Sequence, residues 1–385
     1  MIKALPWLYF LLALFLFIYS YGFVDFNLTL SAHPAVTSFI SWSQQLAMFD
    51  RPTSLSVYLG LIIFFYLGYY LTLLLSSRRC ITSFPWRAIG GLAFICAISY
   101  PFLSSDVFKY LFSAKELLVY HVNPHLVAPQ VFEGDTWLRF MRWIHTPSPY
   151  GPVMTILSSL YYLVGFGKFT PSLYLFKLDQ IFWYGASIWI IGRLAGKKAV
   201  VAQLFFALNP LVLYEWLVNA HNDAPMISLL LLSLYLFTLK KPLWSLLSLV
   251  LSIGIKYVTV IFLPIIIISA KFKLKLTSIV YYLISVLALA PLVYFYSSQY
   301  QPWYVTWLVP FAALTGSIPL MGVTAAYSLG ALLRYVPFIQ TGEWLAGSRY
   351  FAFLTFAPLV FSLLYFLLLR FFRFYHGLSR RPIAQ

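Results

Sequence analysis

Ten acidic side chains stand in 385 residues, few enough that each can be placed. All but Asp179 fall at the ends of apolar runs or in the polar stretches between them. Carboxylates in that setting are where a proton is abstracted or a cation held. Asp106 follows Tyr100-Pro101-Phe102-Leu103-Ser104-Ser105, where an apolar run gives way to an amphipathic one. It reads either as a general base or as an acid complementing a helix N-terminus, an effect of about 0.3–1 kcal/mol. Asn219-Ala220-His221-Asn222-Asp223-Ala224-Pro225 lies between two apolar runs. An N-cap accounts for Asp223 ahead of Pro225, but it leaves His221 and Asn222 unexplained. Lys256 is flanked by apolar residues, where a cation marks either an anion site or a side chain snorkelling to the interface. Gln301-Pro302-Trp303-Tyr304-Val305-Thr306-Trp307 supplies rings able to stack on a sugar or an isoprenoid tail. Asp179, two residues from Lys177, is expected to form an ion pair with it inside the bundle.

Metal-ligand spacing is weak. Asn123-Pro124 separates His121 from His125, His145 stands apart, and neither an H-E-x-x-H pattern nor a cysteine pair occurs. A divalent metal is therefore left open. Nucleotide-binding glycine motifs and a G-x-S-x-G elbow are missing as well, and no cofactor is expected.

The elements that must hold these residues are membrane helices. The chain is 62% hydrophobic and 9% charged, against roughly 25% charged in soluble domains, and its mean hydropathy is +0.84. Apolar runs near 5–24, 55–75, 88–103, 172–192, 199–217, 224–239, 276–296, 318–333 and 350–369 predict spans. With the shorter runs 152–166, 243–269 and 303–315, the expectation is an all-α polytopic bundle of about 11–13 membrane segments, in one integral membrane domain over 1–385. The first run is read as a retained span, since it is long and lacks a convincing cleavage site. Cys80 and Cys96 offer no disulfide framework.

The net charge of +16 comes from short basic clusters between runs: Arg78, Arg79 and Arg87; Arg193, Lys197 and Lys198; Lys240 and Lys241; Lys271, Lys273 and Lys275; and Arg370 onward. This positive-inside pattern orients the chain and touches anionic lipid, and it leaves no basic face for nucleic acid. It places 25–54, 104–151, 218–224, 297–303 and 335–349 outside. It also requires 152–166 to be re-entrant and 243–269 to go up and return near Gly254-Ile255-Lys256, with Lys256 at the floor of an outward cavity. The external loop 104–151 is expected to carry an interfacial helix over 106–120, N-capped by Ser105 and lying flat with Val107, Phe108, Leu111 and Phe112 in lipid. No internal repeat is visible.

Taken in order, Ser105-Asp106-Val107-Phe108-Lys109-Tyr110 with Asn123-Pro124, Pro149-Tyr150-Gly151-Pro152, Asn209-Pro210 leading to His221-Asn222-Asp223, Gly254-Ile255-Lys256-Tyr257, and Pro302-Trp303-Tyr304 with Trp307 resemble the GT-C superfamily of polyprenyl-phosphate-sugar-dependent glycosyltransferases. Within it the chain looks most like bacterial α-mannopyranosyltransferases of cell-envelope assembly. The resemblance covers about residues 90–310. It implies a plasma-membrane enzyme with an outward-facing site, a polyprenyl-phosphate-sugar donor, mannose as the sugar, and a glycan or glycolipid acceptor. It makes Asp106 the general base of an inverting transfer. Lys256, with Lys109 or Arg139 as substitutes, would meet the donor phosphate. His221, Asn222 and Asp223 would orient hydroxyls, and Tyr110, Tyr150, Tyr257, Trp303 and Tyr304 would line the substrate. No adjacent Asp-x-Asp or Asp-Glu pair occurs at Asp106, so metal dependence stays open. Two other readings remain: a transporter or flippase of a polyprenyl-linked sugar, and a structural membrane subunit.

Overall fold

The computed structural model describes residues 4–25, 32–272, 274–287 and 300–379. It is all-helical, with no strand among the described residues, and is a polytopic membrane protein. Among the described residues two helices, Arg51–Ser77 and Ser348–Phe372, are long and apolar enough to cross a bilayer alone. A third crossing is available if Phe169–Ala207 and Pro210–Val218, bent by 56° at a short break, count as one span. Seven shorter apolar helices accompany them among the described residues, including Leu5–Tyr21, Trp86–Ile98, Pro152–Val164, Asp223–Thr238 and Pro242–Ile255. Many of the expected runs are thus shortened or broken in the fold. The helix Pro152–Val164, for example, has 13 residues, a rise of about 20 Å against a hydrocarbon core of about 30 Å. The expected span 276–296 is helical over Leu276–Leu287, and its remainder lies outside the described residues.

The bend at 209–210 has a local cause. Pro210 has no N–H to continue the helix, and the Asn209 side chain instead accepts from Leu211 N at 3.1 Å and Val212 N at 3.4 Å. Carbonyls near the break are met by tyrosines: Tyr69 donates to Phe205 O at 2.9 Å and Tyr184 to Ala207 O at 2.6 Å. Buried backbone away from water must find such partners. The released chain continues as a π-helical turn, Leu213–Val218, which ends just before Asn219.

Helix Pro242–Ile255 lies antiparallel on Asp223–Thr238, joined by serines on one face. Ser245 donates to Ser233 O, Ser248 to Leu229 O and Ser252 to Met226 O, at 2.7–2.8 Å. Small hydroxyl residues let helix backbones approach closely in membranes. Continuing this register by one turn brings Lys256 opposite Asp223. The helix breaks there, with Lys256 extended at φ −149° and ψ 118°.

Two local expectations are corrected. The helix Asp106–Leu118 forms in the expected place, but residues 106–114 are buried on both faces, wedged among Pro152–Val164, Phe169–Ala195 and the 129–148 loop. It has no wet polar face: Asp106, Lys109 and Tyr110 find protein partners, while Ser113 and Glu116 are buried without one. Ser105 does not cap it; its hydroxyl accepts from Arg142 N at 3.3 Å. Asp179 and Lys177 likewise form no pair. Two residues apart on a helix they point to different faces. Asp179 accepts from Tyr161 and Trp183, both at 2.5 Å. Lys177 donates to Leu217 O and Val218 O and so caps the π-helical turn.

Candidate active site

Asp106 opens its helix as a buried carboxylate, 5% exposed. Tyr150 donates to its Oδ2 at 2.9 Å. His221 Nδ1 lies 3.7 Å from the same oxygen, within ion-pair range but too long for a hydrogen bond. The far ring nitrogen, Nε2, is 3.3 Å from Glu215 Oε2. Glu215 in turn accepts from Tyr335 at 2.8 Å and Asn219 at 2.9 Å. The result is a buried row in which one imidazole stands between two carboxylates. Its placement depends on backbone geometry, because Ala220 takes a left-handed φ of 56°, a conformation costly for a residue with a Cβ and common at functional sites. The π-helical turn aims Glu215 inward; such turns recur at functional sites. Trp303 covers the imidazole, stacked at 4.1 Å between ring centroids.

Asn222 and Asp223 complete the cluster. Tyr110 donates to Asn222 Oδ1 at 3.3 Å and packs edge-on against Tyr150 at 4.7 Å. Asp223 does not act as a capping side chain; Asn222 holds the cap position without a cap bond. Instead Asp223 pairs with Lys256 Nζ at 3.0 Å and accepts from Trp307 Nε1. The Lys256 ammonium sits over the rings of Tyr304 and Trp307, 5.1 and 5.3 Å from their centroids. The 149–152 segment is drawn in by backbone contact: Gly151 N donates to Ile255 O at 2.9 Å. A Cβ on Gly151 would lie 2.1 Å from Gly254 O, so only glycine fits this approach.

Asp106, Tyr110, Tyr150, His221, Asn222, Asp223, Lys256, Trp303 and Tyr304 are therefore gathered by the fold. Three expected residues are placed otherwise. Lys109 donates to Trp143 O at 2.8 Å and to Thr146 O at 2.6 Å, pinning the 129–148 loop, and its burial brings the ammonium down to about 8. Arg139 pairs with Asp25 at 3.0 Å on an exposed face. Tyr257 is 54% exposed. Sequence reasoning gave no site role to Glu215 or Tyr335, and it named Asn219 and Trp307 only as parts of the 219–225 and 301–307 segments. The one available signal was Glu215 itself, an acid within an otherwise apolar stretch.

Among the described residues no three His, Cys, Asp or Glu side chains converge to hold a metal ion. In the Asp106–His221–Glu215 row the two carboxylates face opposite ring nitrogens. His125 is held by Thr155 at 3.2 Å and Ser148 O at 3.3 Å.

The family profile described as alpha-(1->6)-mannopyranosyltransferase, N-terminal domain, matches residues 15–271, more than half of the chain. A probable alpha-(1->6)-mannopyranosyltransferase of Mycolicibacterium smegmatis (strain ATCC 700084 / mc(2)155) is 27% identical over 141 residues. That stretch is 35% of this chain and 25% of the relative, so the match spans a quarter of the relative's length. No solved structure matches the chain significantly.

Proposed function

Because the chain belongs to the alpha-(1->6)-mannopyranosyltransferase family, we propose that it moves mannose from a polyprenyl-phosphate-linked donor to a glycan or glycolipid acceptor at the outer face of the plasma membrane. The observation that carries this reading is a buried carboxylate, Asp106, held by Tyr150 and faced by His221, in one cluster with a lysine over aromatic rings. Asp106 takes the proton of the acceptor hydroxyl as its oxygen attacks the anomeric carbon from the face opposite the phosphate. The bond from that carbon to the phosphate oxygen breaks, its electron pair stays on the phosphate, and the anomeric centre inverts. Tyr150 and His221 fix the direction of the carboxylate. Lys256 lies at the helix break, where it can donate to the departing phosphate. Its partner Asp223 and the rings of Tyr304 and Trp307 hold the ammonium in place. Trp303, with Asn222 and Tyr110, offers a stacking face and hydroxyl partners for a sugar ring.

The donor class is tested with purified chain in lipid nanodiscs, a mannosidic acceptor, and mannose presented either as polyprenyl-phosphate-mannose or as a nucleotide sugar. Transfer from the lipid-linked donor alone is expected. Transfer from the nucleotide sugar alone would overturn the donor, and transfer from neither would overturn the reading.

A further inference from the structure

Four basic side chains around the site are already engaged: Lys109 by carbonyls, Arg139 by Asp25, Lys256 by Asp223, and Lys177 by the carbonyls of the π-helical turn. Arg142 is different. Its backbone N–H is tied to Ser105 Oγ, one residue from Asp106. Its guanidinium is 4.3 Å from the ring centroid of Trp344 and 4.6 Å from that of Phe338. Among the described residues no carboxylate pairs with it and no acceptor bonds its side-chain N–H groups. The Asp106 carboxylate is close enough for its negative charge to act on the guanidinium. Phe338, Trp344 and Tyr335 also line a small pocket with Pro302 and Arg334.

A half-buried guanidinium without an anion is costly, and stacking on rings offsets only part of its lost hydration. The stacked plane leaves the edge N–H fork as the free recognition element, and that fork matches phosphate oxygens bidentately. Charge balance points the same way. The donor phosphodiester carries one negative charge, and the departing phosphomonoester approaches two. The Lys256–Asp223 pair is neutral overall and cannot balance the added charge alone.

We propose that Arg142 binds the phosphoryl group of the lipid-linked donor and holds it as it leaves, which rests on the transfer reading above. Arg142 makes no bond to the sugar. Its contribution grows as charge collects on the phosphate, so its loss should raise KM for the donor and lower kcat together.

The test uses the full chain in nanodiscs, as wild type, Arg142→Gln and Arg142→Lys. Two readouts apply: equilibrium binding of polyprenyl phosphate, of the matching polyprenol and of inorganic phosphate, and transfer kinetics. Wild type is expected to prefer polyprenyl phosphate to polyprenol. R142Q should lose about 10- to 100-fold in binding the phosphate form and leave polyprenol binding unchanged, a selectivity that a purely structural role for Arg142 would not produce. R142K, with charge but no fork, should fall between the two. If R142Q does not fold, R142K carries the test: a wild-type preference in that variant overturns the proposal. If wild type transfers mannose and R142Q keeps its phosphate preference and kinetics, Arg142 is wrongly assigned and the transfer reading stands. If inorganic phosphate binds as tightly as the lipid, the site is one for free phosphate and the lipid-linked source is overturned. If wild type neither transfers nor distinguishes polyprenyl phosphate from polyprenol, the transfer reading falls as well.

Discussion

Glu215 and His221 give the site its direction. With Tyr335 and Asn219 holding Glu215, its carboxylate stands 3.3 Å behind the imidazole, and Asp106 lies on the ring's other nitrogen side. Glu215→Gln keeps the shape of the side chain and removes its charge. Transfer by that variant should drop about 10-fold or more in kcat, less than the ~10²–10⁴-fold of an acid or base itself because Glu215 acts through His221, with donor KM little changed; an unchanged kcat would remove Glu215 from the account. A second residue-scale prediction concerns Glu116, which is buried with neither carboxylate oxygen hydrogen-bonded. Burial pushes its carboxyl up to about 8, with nearby Lys109 opposing the shift. The folded state then holds a proton that the unfolded chain releases near the ordinary glutamate value. The associated stability is present at pH 4, declines as pH rises, and is lost through about pH 8. Melting temperatures should therefore fall between pH 5 and 8 more steeply for wild type than for Glu116→Gln, and parallel curves would contradict this. At this scale the sequence was readable where a polar residue interrupts apolar neighbours, as at Asp106, His221, Asn222, Asp223 and Lys256. It pointed to Lys109 and Arg139 for the donor phosphate and passed over Arg142. What distinguishes those three is the acid, carbonyl or ring each meets, and those partners are distant in the chain.

At the scale of elements, two devices place the site. The serine face of Pro242–Ile255 fixes its register on Asp223–Thr238 and thereby brings Lys256 to Asp223. The Gly151–Gly254 approach docks the Tyr150 segment beside the same break. Gly151→Ala should destabilise the fold by about 1–3 kcal/mol or more, as overpacking does, and should cut transfer by displacing Tyr150. Gly185→Ala, in a helix where nothing lies within 4 Å of the added carbon, should leave the melting temperature unchanged or slightly raised. Equal losses in both variants would show that the close approach is not what matters. The break near Gly254 was legible because it is local, whereas the one at Asn209-Pro210, inside the apolar run 199–217 read as a single span, was not. Nor was the burial of Asp106–Leu118. An amphipathic stripe looks the same whether its polar face meets water or, as here, a carbonyl-rich loop that pins Lys109.

At the scale of the whole molecule, the basic clusters remain the handle on orientation. Cys80 is exposed beside Arg78 and Arg79, and Glu133 is exposed in the 104–151 loop, expected outside. In right-side-out cells an impermeant maleimide should label Glu133→Cys directly and Cys80 only after permeabilisation; the reverse pattern would invert the topology and put the site inside. The class of molecule was legible from composition because a chain this apolar cannot dress a soluble surface. The division into few long and many short helices was not, since hydropathy marks apolar residues and does not mark where a tyrosine hydroxyl satisfies a broken turn. The most direct measurement of the central claim compares wild type with Asp106→Asn for mannosyl transfer from polyprenyl-phosphate-mannose in nanodiscs, with donor binding measured alongside. The account predicts a loss of about 10²-fold or more in transfer with donor binding retained. Transfer that survives the substitution would contradict Asp106 as the base.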